Sequence, residues 1–412
     1  MALQQGLSGL NATSKNLEII GNNIANANTF GYKTSRAEFS DMYAAALNGA
    51  GGNTVGIGVN LAAVAQQFTQ GNISVTANSM DLAINGPGFF QVTDGVNPTL
   101  YSRNGQFKVD RDGFVVNNEG LKLMGFPATG SGVIQPGQAV PLQLPTAGID
   151  PAATSRIALE MNLDSRAAPV ASPGTIDVDD PTTYNNATSV TIYDSKGQDI
   201  AMTYYFQKSG NDTWNVFVFA NGTAVGSPIE LTFDTATGRL TGPASPVALP
   251  VPVTTNAAGA LTVPFAPPPT LDLRQATQFG APFGVTDLTQ DGYAPGQLSG
   301  ITIEANGIVM ARYSNGQTKP AGQLELATFR NPQGLQPQGG GVWARSFASG
   351  DPIVGVPGEG NMGVLQSGAL EESNVDITAE LVNMITAQRM YQANAQTIKT
   401  TDQAMQSLLN LR

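Results

Sequence analysis

Histidine and cysteine are both absent from the 412 residues, so the side chains left for chemistry are carboxylates, lysines and tyrosines. That removes zinc fingers, thiolate-held clusters, disulfides, Ser-His-Asp triads and Cys-His dyads together. The constellations that remain are weak. Asp110-Arg-Asp112-Gly113 begins like a calcium loop but lacks the later ligand positions and the flanking helices, which leaves a hairpin turn. Asp177-Val-Asp-Asp180 reads as a solvated acidic loop. Gly31 is followed by Tyr32 before Lys33, so no Gly-Lys-Ser/Thr phosphate loop exists, and no Gly-x-Gly-x-x-Gly opens a helix after a strand. The carboxylates are too scattered for a glycosidase pair. No catalytic residue, metal ligand or cofactor is predicted, and the chain reads as a non-enzyme.

The overall charge narrows the partners. With 31 acidic and 20 basic residues the net charge is −11, whereas a nucleic-acid surface needs clustered Lys and Arg. Ionisable residues make up 12% of the chain, against about 25% in an ordinary soluble domain. So sparsely charged a surface suits a subunit covered by copies of itself better than a free monomer. No apolar run nears the ~18–20 residues that span a bilayer. The N-terminal residues have no basic region before Lys15, so no cleavable secretory signal is expected.

The elements that would present any functional surface lie at the two ends. Leu3, Leu7, Leu10, Leu17 and Ile24 keep a 4-3 spacing, with Ser14 and Gly21 in the gaps. This predicts a helix with heptad character, ending where Asn, Thr and Gly accumulate between Asn26 and Gly31. At the other end Ser373-Asn-Val-Asp376 offers an N-cap signature. Behind it Ile377, Leu381, Met384, Gln388, Tyr391, Ala395, Ile398, Asp402 and Met405 continue in a 4-3 register without Pro or Gly. The outer positions of that helix, among them Gln392, Gln396, Thr400 and Gln403, are neutral, where a solvated two-stranded coil carries Glu and Lys. Two readings stand side by side: an intramolecular coiled coil of the two ends, or helices whose faces are covered by neighbouring subunits or line a wet channel.

Between about Gly71 and Gly360 the pattern is mainly β, sandwich- or barrel-like, with turn residues every 8–12 positions or so. Hairpins are expected around Asp112-Gly113 and Ser195-Lys-Gly197. The Pro-rich stretch from Ala244 to Pro269 marks a boundary or an extended crossover. Residues Ala44 to Gly58 read as a flexible connector.

Five segments together resemble the bacterial flagellar rod and hook (axial) proteins: GNNIANANTFGYKTSR (21–36), SMDLAINGPGFFQV (79–92), YSRNGQFKVDRDGFVVNNEGLKLMGF (101–126), SNGQTKPAGQLELATFRNPQGLQPQGGGVW (314–343) and GALEESNVDITAELVNMITAQRMYQANAQTIKTTDQAM (368–405). Between them, SVTIYDSKGQDIAMTYYF (189–206) and DTWNVFVF (212–219) resemble the outer domain of the hook members, which the shorter distal-rod members lack.

The resemblance implies a terminal helical domain of residues 1–30 paired with 372–412, and a connector at 31–70. It further implies an inner β domain of 71–144 with 292–371, and an outer β domain of 145–291. It implies a helical homopolymer, a curved hollow tube that acts as universal joint and export channel. The implied partners are the distal rod protein, the hook cap protein, the hook–filament junction protein and the type III export apparatus, with no membrane insertion. The implied location is the extracellular hook, reached without a cleaved signal. The apolar residues of the terminal stripes are the implied subunit contacts, disordered before assembly and folding on binding. Phe39-Ser-Asp-Met-Tyr43 resembles the Phe-x-x-x-hydrophobic export element, Phe39 and Tyr43 being its apolar pair. A different class, a secreted adhesin or carbohydrate-binding β protein with a coiled-coil stalk, shares the low charge and the Trp and Tyr on strands, here Trp214, Tyr204 and Tyr205.

Overall fold

A computed structural model describes residues 2–42 and 56–410. Strands dominate between two terminal helices, α1 (Ala2–Ala25) and α2 (Ile377–Asn410). The chain divides into two compact units, Met1–Thr146 with Gly300–Ala311 and Thr318–Arg412, and Ala147–Ser299 with Arg312–Gln317.

In the first unit the helices are followed inward by paired strands from both chain ends. The span 31–70, the expected connector, carries an antiparallel hairpin of β1 (Ser35–Met42) and β2 (Gly58–Gln66), with a bulge between Glu38 and Phe39. The hairpin is fastened to α1 by the Gln5 amide, which donates to the Gly56 carbonyl at 2.7 Å. The Ala44–Gly58 segment and Tyr43 fall almost entirely outside the described residues. Next, Ile73–Val75 pairs with Ala369–Glu371 and Leu82–Asn85 with Val364–Ser367. Lys122–Pro127 then lies between Phe89–Thr93 and Thr318–Leu324, all antiparallel. The core is Leu82, Ile84, Phe90, Val92, Leu123, Leu324, Leu326 and their neighbours. Beside it Phe68, Phe89, Trp343, Phe329 and Tyr101 meet edge to face at 4.7–6.0 Å.

The second unit has an antiparallel meander of Asn186–Tyr193, Asp199–Lys208, Thr213–Ala220, Ile229–Phe233 and Leu240–Gly242. Its other sheet places Arg156–Asn162 between Thr270–Asp272, parallel, and Gly284–Gln290, antiparallel. Alternation in Arg156–Asn162 sends Ile157, Leu159 and Met161 into a shared core with Ile200, Met202, Tyr204, Phe206 and Trp214.

Turn chemistry explains the acidic motifs. Asp110 Oδ1 accepts from the amides of Asp112 and Phe114 at 2.9 and 2.8 Å, closing the hairpin between Lys108–Val109 and Val115–Val116. Asp194 does the same for Lys196 and Gln198 in the meander. The Pro-rich stretch is no boundary: Leu249 and Val251 from it are buried in the second core. Ser373 is not the helix cap. The helix starts at Ile377, and the residue before it, Asp376, accepts from the amides of Thr378 and Ala379 at 2.9 and 3.1 Å. The Ser373 hydroxyl instead accepts from Val375 N.

Candidate subunit interface

The terminal helices pack on one another through small residues. A Cβ built on Gly6 would lie 2.9 Å from Ile398 Cγ1, and one on Gly9 the same distance from Asn394 Nδ2. Glycine therefore sets how closely the two backbones approach. The inward face of α2 runs through Glu380, Met384, Ala387, Asn394 and Ile398, with Ala387 fully covered. This keeps Met384 and Ile398 of the predicted register, with Ala395 also half-buried, and shifts the alternate row by one residue. Leu381 gives way to Glu380, Asn394 lies against Gly9, and Ala387 lines a cleft with Ile19, Ile20 and Asn23 of α1.

The consequence is an uncovered apolar stripe. Ile377, Leu381, Val382, Ile385, Tyr391 and Met405 are all exposed on α2, as is Leu7 on α1 at 52%. Leu10, Leu17 and Ile24 are half-buried, as are Met384 and Ile398. Leu3 lies in α1, with its side chain outside the described set. In the structure both terminal helices are formed and pack on one another along the glycine seam.

Phe39 is exposed on β1 and lines an apolar groove with Gly9, Ala12, Thr13, Val59, Met390 and Ala393.

Below the helices sits a polar junction assembled from four distant segments. Asn23 on α1 exchanges hydrogen bonds with both backbone groups of Ser35, at 2.8 and 3.0 Å, and donates to Glu380 of α2 at 3.1 Å. The Tyr32 hydroxyl donates to Asn22 and Asn23. Asn374 accepts from the amide and hydroxyl of Thr34 and donates to Gln67 O and Thr69 Oγ1, all at 2.7–2.8 Å. Gly31 has φ +71, and a Cβ there would meet the Asn104 backbone nitrogen at 2.5 Å. Its amide donates to the Glu371 carbonyl at 2.8 Å.

At the centre is a buried ion cluster. Lys33 Nζ lies 2.6 Å from Glu371 Oε1 and donates to Thr69 O at 2.7 Å. Arg103 reaches Glu371 Oε2 at 3.0 Å and Gly86 O at 2.9 Å, with its guanidinium 5.3 Å from the Phe89 ring centre. The Lys33 and Glu371 side chains have no solvent exposure. Burial pulls the pKa values of Lys33 and Arg103 down, and the shared Glu371 carboxylate opposes this. Two cations on one fully paired carboxylate leave no free group for acid–base work. The cluster ties the segment after α1 to the strand entering α2.

Lys33, Arg103 and Glu371 lie within the family-like segments, but their local sequence gives them no role. The available signal was scarcity: in a chain this poor in charge, each ion inside an otherwise apolar stretch needs a partner.

Among the described residues no group of acidic side chains is arranged to hold a metal, and no helix is long and apolar enough to cross a membrane. Trp214 and Tyr204, two of the strand aromatics of the adhesin reading, have no exposed surface. The Trp214 indole donates to Gln278 at 3.3 Å, and Tyr205 packs edge to face on Tyr184 and Phe219.

Family models match in chain order: flagellar basal body rod protein at 3–33, the D1 domain of flagellar hook protein FlgE/F/G at 83–198, the flagellar basal body protein FlaE D2 domain at 162–293, and the C-terminal model of flagellar basal body rod FlgEFG protein at 366–411. Flagellar hook protein FlgE of Escherichia coli K12 is 39% identical, and that of Salmonella typhimurium 40%, each over the full length of both chains. The chain belongs to the flagellar hook protein family. The Rhizobium meliloti hook protein is 34% identical over all of this chain and 98% of its own. The crystal structure of Helicobacter pylori flagellar hook protein FlgE2 covers 72% of this chain and all of its own, with a TM-score of 0.53 at 16% identity, a likeness of fold. Hook relatives spanning the whole chain and a D2 match over its centre disfavour the shorter distal-rod alternative.

Proposed function

We propose that this chain is the building subunit of the flagellar hook, polymerising into a curved, hollow helical tube that transmits torque as a universal joint and passes exported subunits through its channel. Its role is structural, without catalysis. The observation that carries this reading is full-length identity to hook proteins together with an apolar stripe on α2 that its own chain leaves uncovered. In the polymer α1 and α2 form the inner tube, coiled against copies of themselves through Leu7, Ile377, Leu381, Tyr391 and Met405. Leu10, Leu17, Ile24, Met384, Ile398 and their close-packed seam hold the pair together. Residues 71–144 with 292–371, and 145–291, form the layers outside.

The partners we propose are the distal rod protein below and the hook cap and hook–filament junction proteins above. Delivery runs through the type III export apparatus, without a cleaved signal and with Phe39 and Tyr43 as the export element, to the extracellular hook.

The test is Leu381→Ser with Ile385→Ser, two changes on the exposed stripe. The monomer should melt as wild type while sedimentable tubes disappear. Tubes of normal yield from the double variant would refute the reading.

A further inference from the structure

Asparagine followed by glycine is the step at which a side-chain amide most readily reacts with its own backbone, since glycine puts no side chain in the way. Asn85-Gly86, Asn104-Gly105, Asn221-Gly222, Asn306-Gly307 and Asn315-Gly316 are such steps among the described residues. Four of these asparagines are braced. The side-chain oxygens of Asn104, Asn306 and Asn315 accept from the amides two residues on, at 3.0–3.1 Å. Asn221 accepts from Ala201 N at 2.9 Å and donates to Thr254 at 3.0 Å. Asn85, at the end of the strand Leu82–Asn85, is exposed, and its carboxamide makes no hydrogen bond among the described residues.

The attacking nitrogen is accessible too. Gly86 N donates to Gln70 Oε1, on an exposed side chain, at 3.0 Å. Gly307 N and Gly316 N are instead tied into backbone turns, to Glu304 O and Tyr313 O at 2.9 and 3.0 Å. Glycine is obligatory at 86, where φ is +113 and a Cβ would lie 3.0 Å from Gly363 Cα. The fold therefore fixes the reactive partner while leaving the Asn85 side chain free to turn onto it.

We propose that Asn85 is a site of spontaneous deamidation, with water as the co-reactant, whose product loosens the seat of Arg103. The Gly86 nitrogen gives up its proton and bonds to Asn85 Cγ. The Cγ–Nδ2 bond breaks, and the nitrogen leaves as ammonia with that proton. Water then opens the resulting imide at either carbonyl, giving aspartate or isoaspartate. In isoaspartate the main chain runs through the former side chain and is longer by a methylene. The carbonyls on either side of residue 85 are the ones that hold Arg103. Its guanidinium donates to Gly86 O at 2.9 Å and reaches Ile84 O at 3.5 Å while pairing with Glu371. Lengthening the chain between them draws a carbonyl away from a buried cation, which lowers stability. The reaction needs a single chain alone and is independent of the hook reading.

The full chain is held in warm, mildly alkaline buffer, then unfolded, digested with chymotrypsin and read by mass spectrometry at each Asn-Gly step. A hydrogen bond that must break first slows a reaction by roughly fivefold. Asn85 should therefore convert at least that much faster than Asn104, Asn221, Asn306 and Asn315. Conversion of Asn85 no faster than the braced four overturns the site. In urea the rates should draw together; a lead for Asn85 that survives unfolding means that local sequence sets it, and overturns the structural assignment. Isoaspartyl methyltransferase labelling of the peptide 83–89 follows isoaspartate as it accumulates, and the melting temperature should fall in step. An aged chain with isoaspartate at 85 that melts like fresh protein overturns the loosened seat. So does an equal fall in an Asn85→Gln chain taken through the same incubation.

Discussion

Glu371 is the residue on which the joint between helices and sheet depends. It accepts from Lys33, Arg103 and the Gly71 amide at once, with no access to water. Glu371→Ala leaves two buried cations without a counter-ion, and removing one partner of a buried pair typically costs about 3–5 kcal/mol. Urea unfolding of the variant checks this; a loss below about 1 kcal/mol would mean that the cations escape to solvent. Glu325 supplies a pH test. It is buried and accepts from Gln91 at 2.7 Å, and burial pushes its carboxyl up from the ordinary value. A carboxyl with a folded pKa above its unfolded one stabilises fully below the unfolded value, about 4.3, and loses that contribution as pH rises through the folded value. Glu325→Gln stays neutral and should flatten the decline, leaving the variant more stable than wild type at pH 7. Parallel stability curves for the two proteins from pH 4 to 7 would refute this.

The helix pair rests on distance of approach. Gly6 and Gly9 let α1 lie against Ile398 and Asn394 of α2, so a branched side chain at Gly6 must force the helices apart. Gly6→Val should cost about 1–3 kcal/mol by overpacking and loosen the pair while the sheets stay intact. Limited proteolysis followed by mass spectrometry reads this directly: faster cuts within 377–405 are expected, and an unchanged pattern would show that the seam is unimportant. The hairpin of β1 and β2 belongs to the same assembly, since Asn23 joins α1, Ser35 and Glu380.

The two compact units have separate cores. No residue of 145–291 contributes to the Leu82–Phe90–Leu123 cluster, and the second cluster lies wholly within 157–288. Replacing 145–291 by a short Gly-Ser linker should therefore leave a folded chain that still polymerises, with altered curvature of the tube. Electron microscopy of the assembled variant decides the matter: curvature identical to wild type would remove residues 145–291 from control of shape, and failure to polymerise would place essential contacts there.

Both terminal helices were legible in the sequence because helical periodicity is a local property, repeated every few residues. So were the hairpins, since Asp110, Asp194 and their glycines act on neighbours within four positions. The motifs of five segments carried the family as well. What the sequence could not determine was pairing across the chain. Lys33 and Glu371 are 338 positions apart, and nothing local to either says which charge it meets. The face of α2 turned to α1 was also settled in three dimensions. Heptad spacing favours Leu381, but Gly6 and Gly9 admit Ile398 and Asn394 closely, Glu380 reaches Asn23 and Ala387 turns inward, so the larger apolar residues stayed out. Local spacing determined that there would be helices with an apolar stripe, while packing between distant segments decided which residues a single chain would leave for its neighbours.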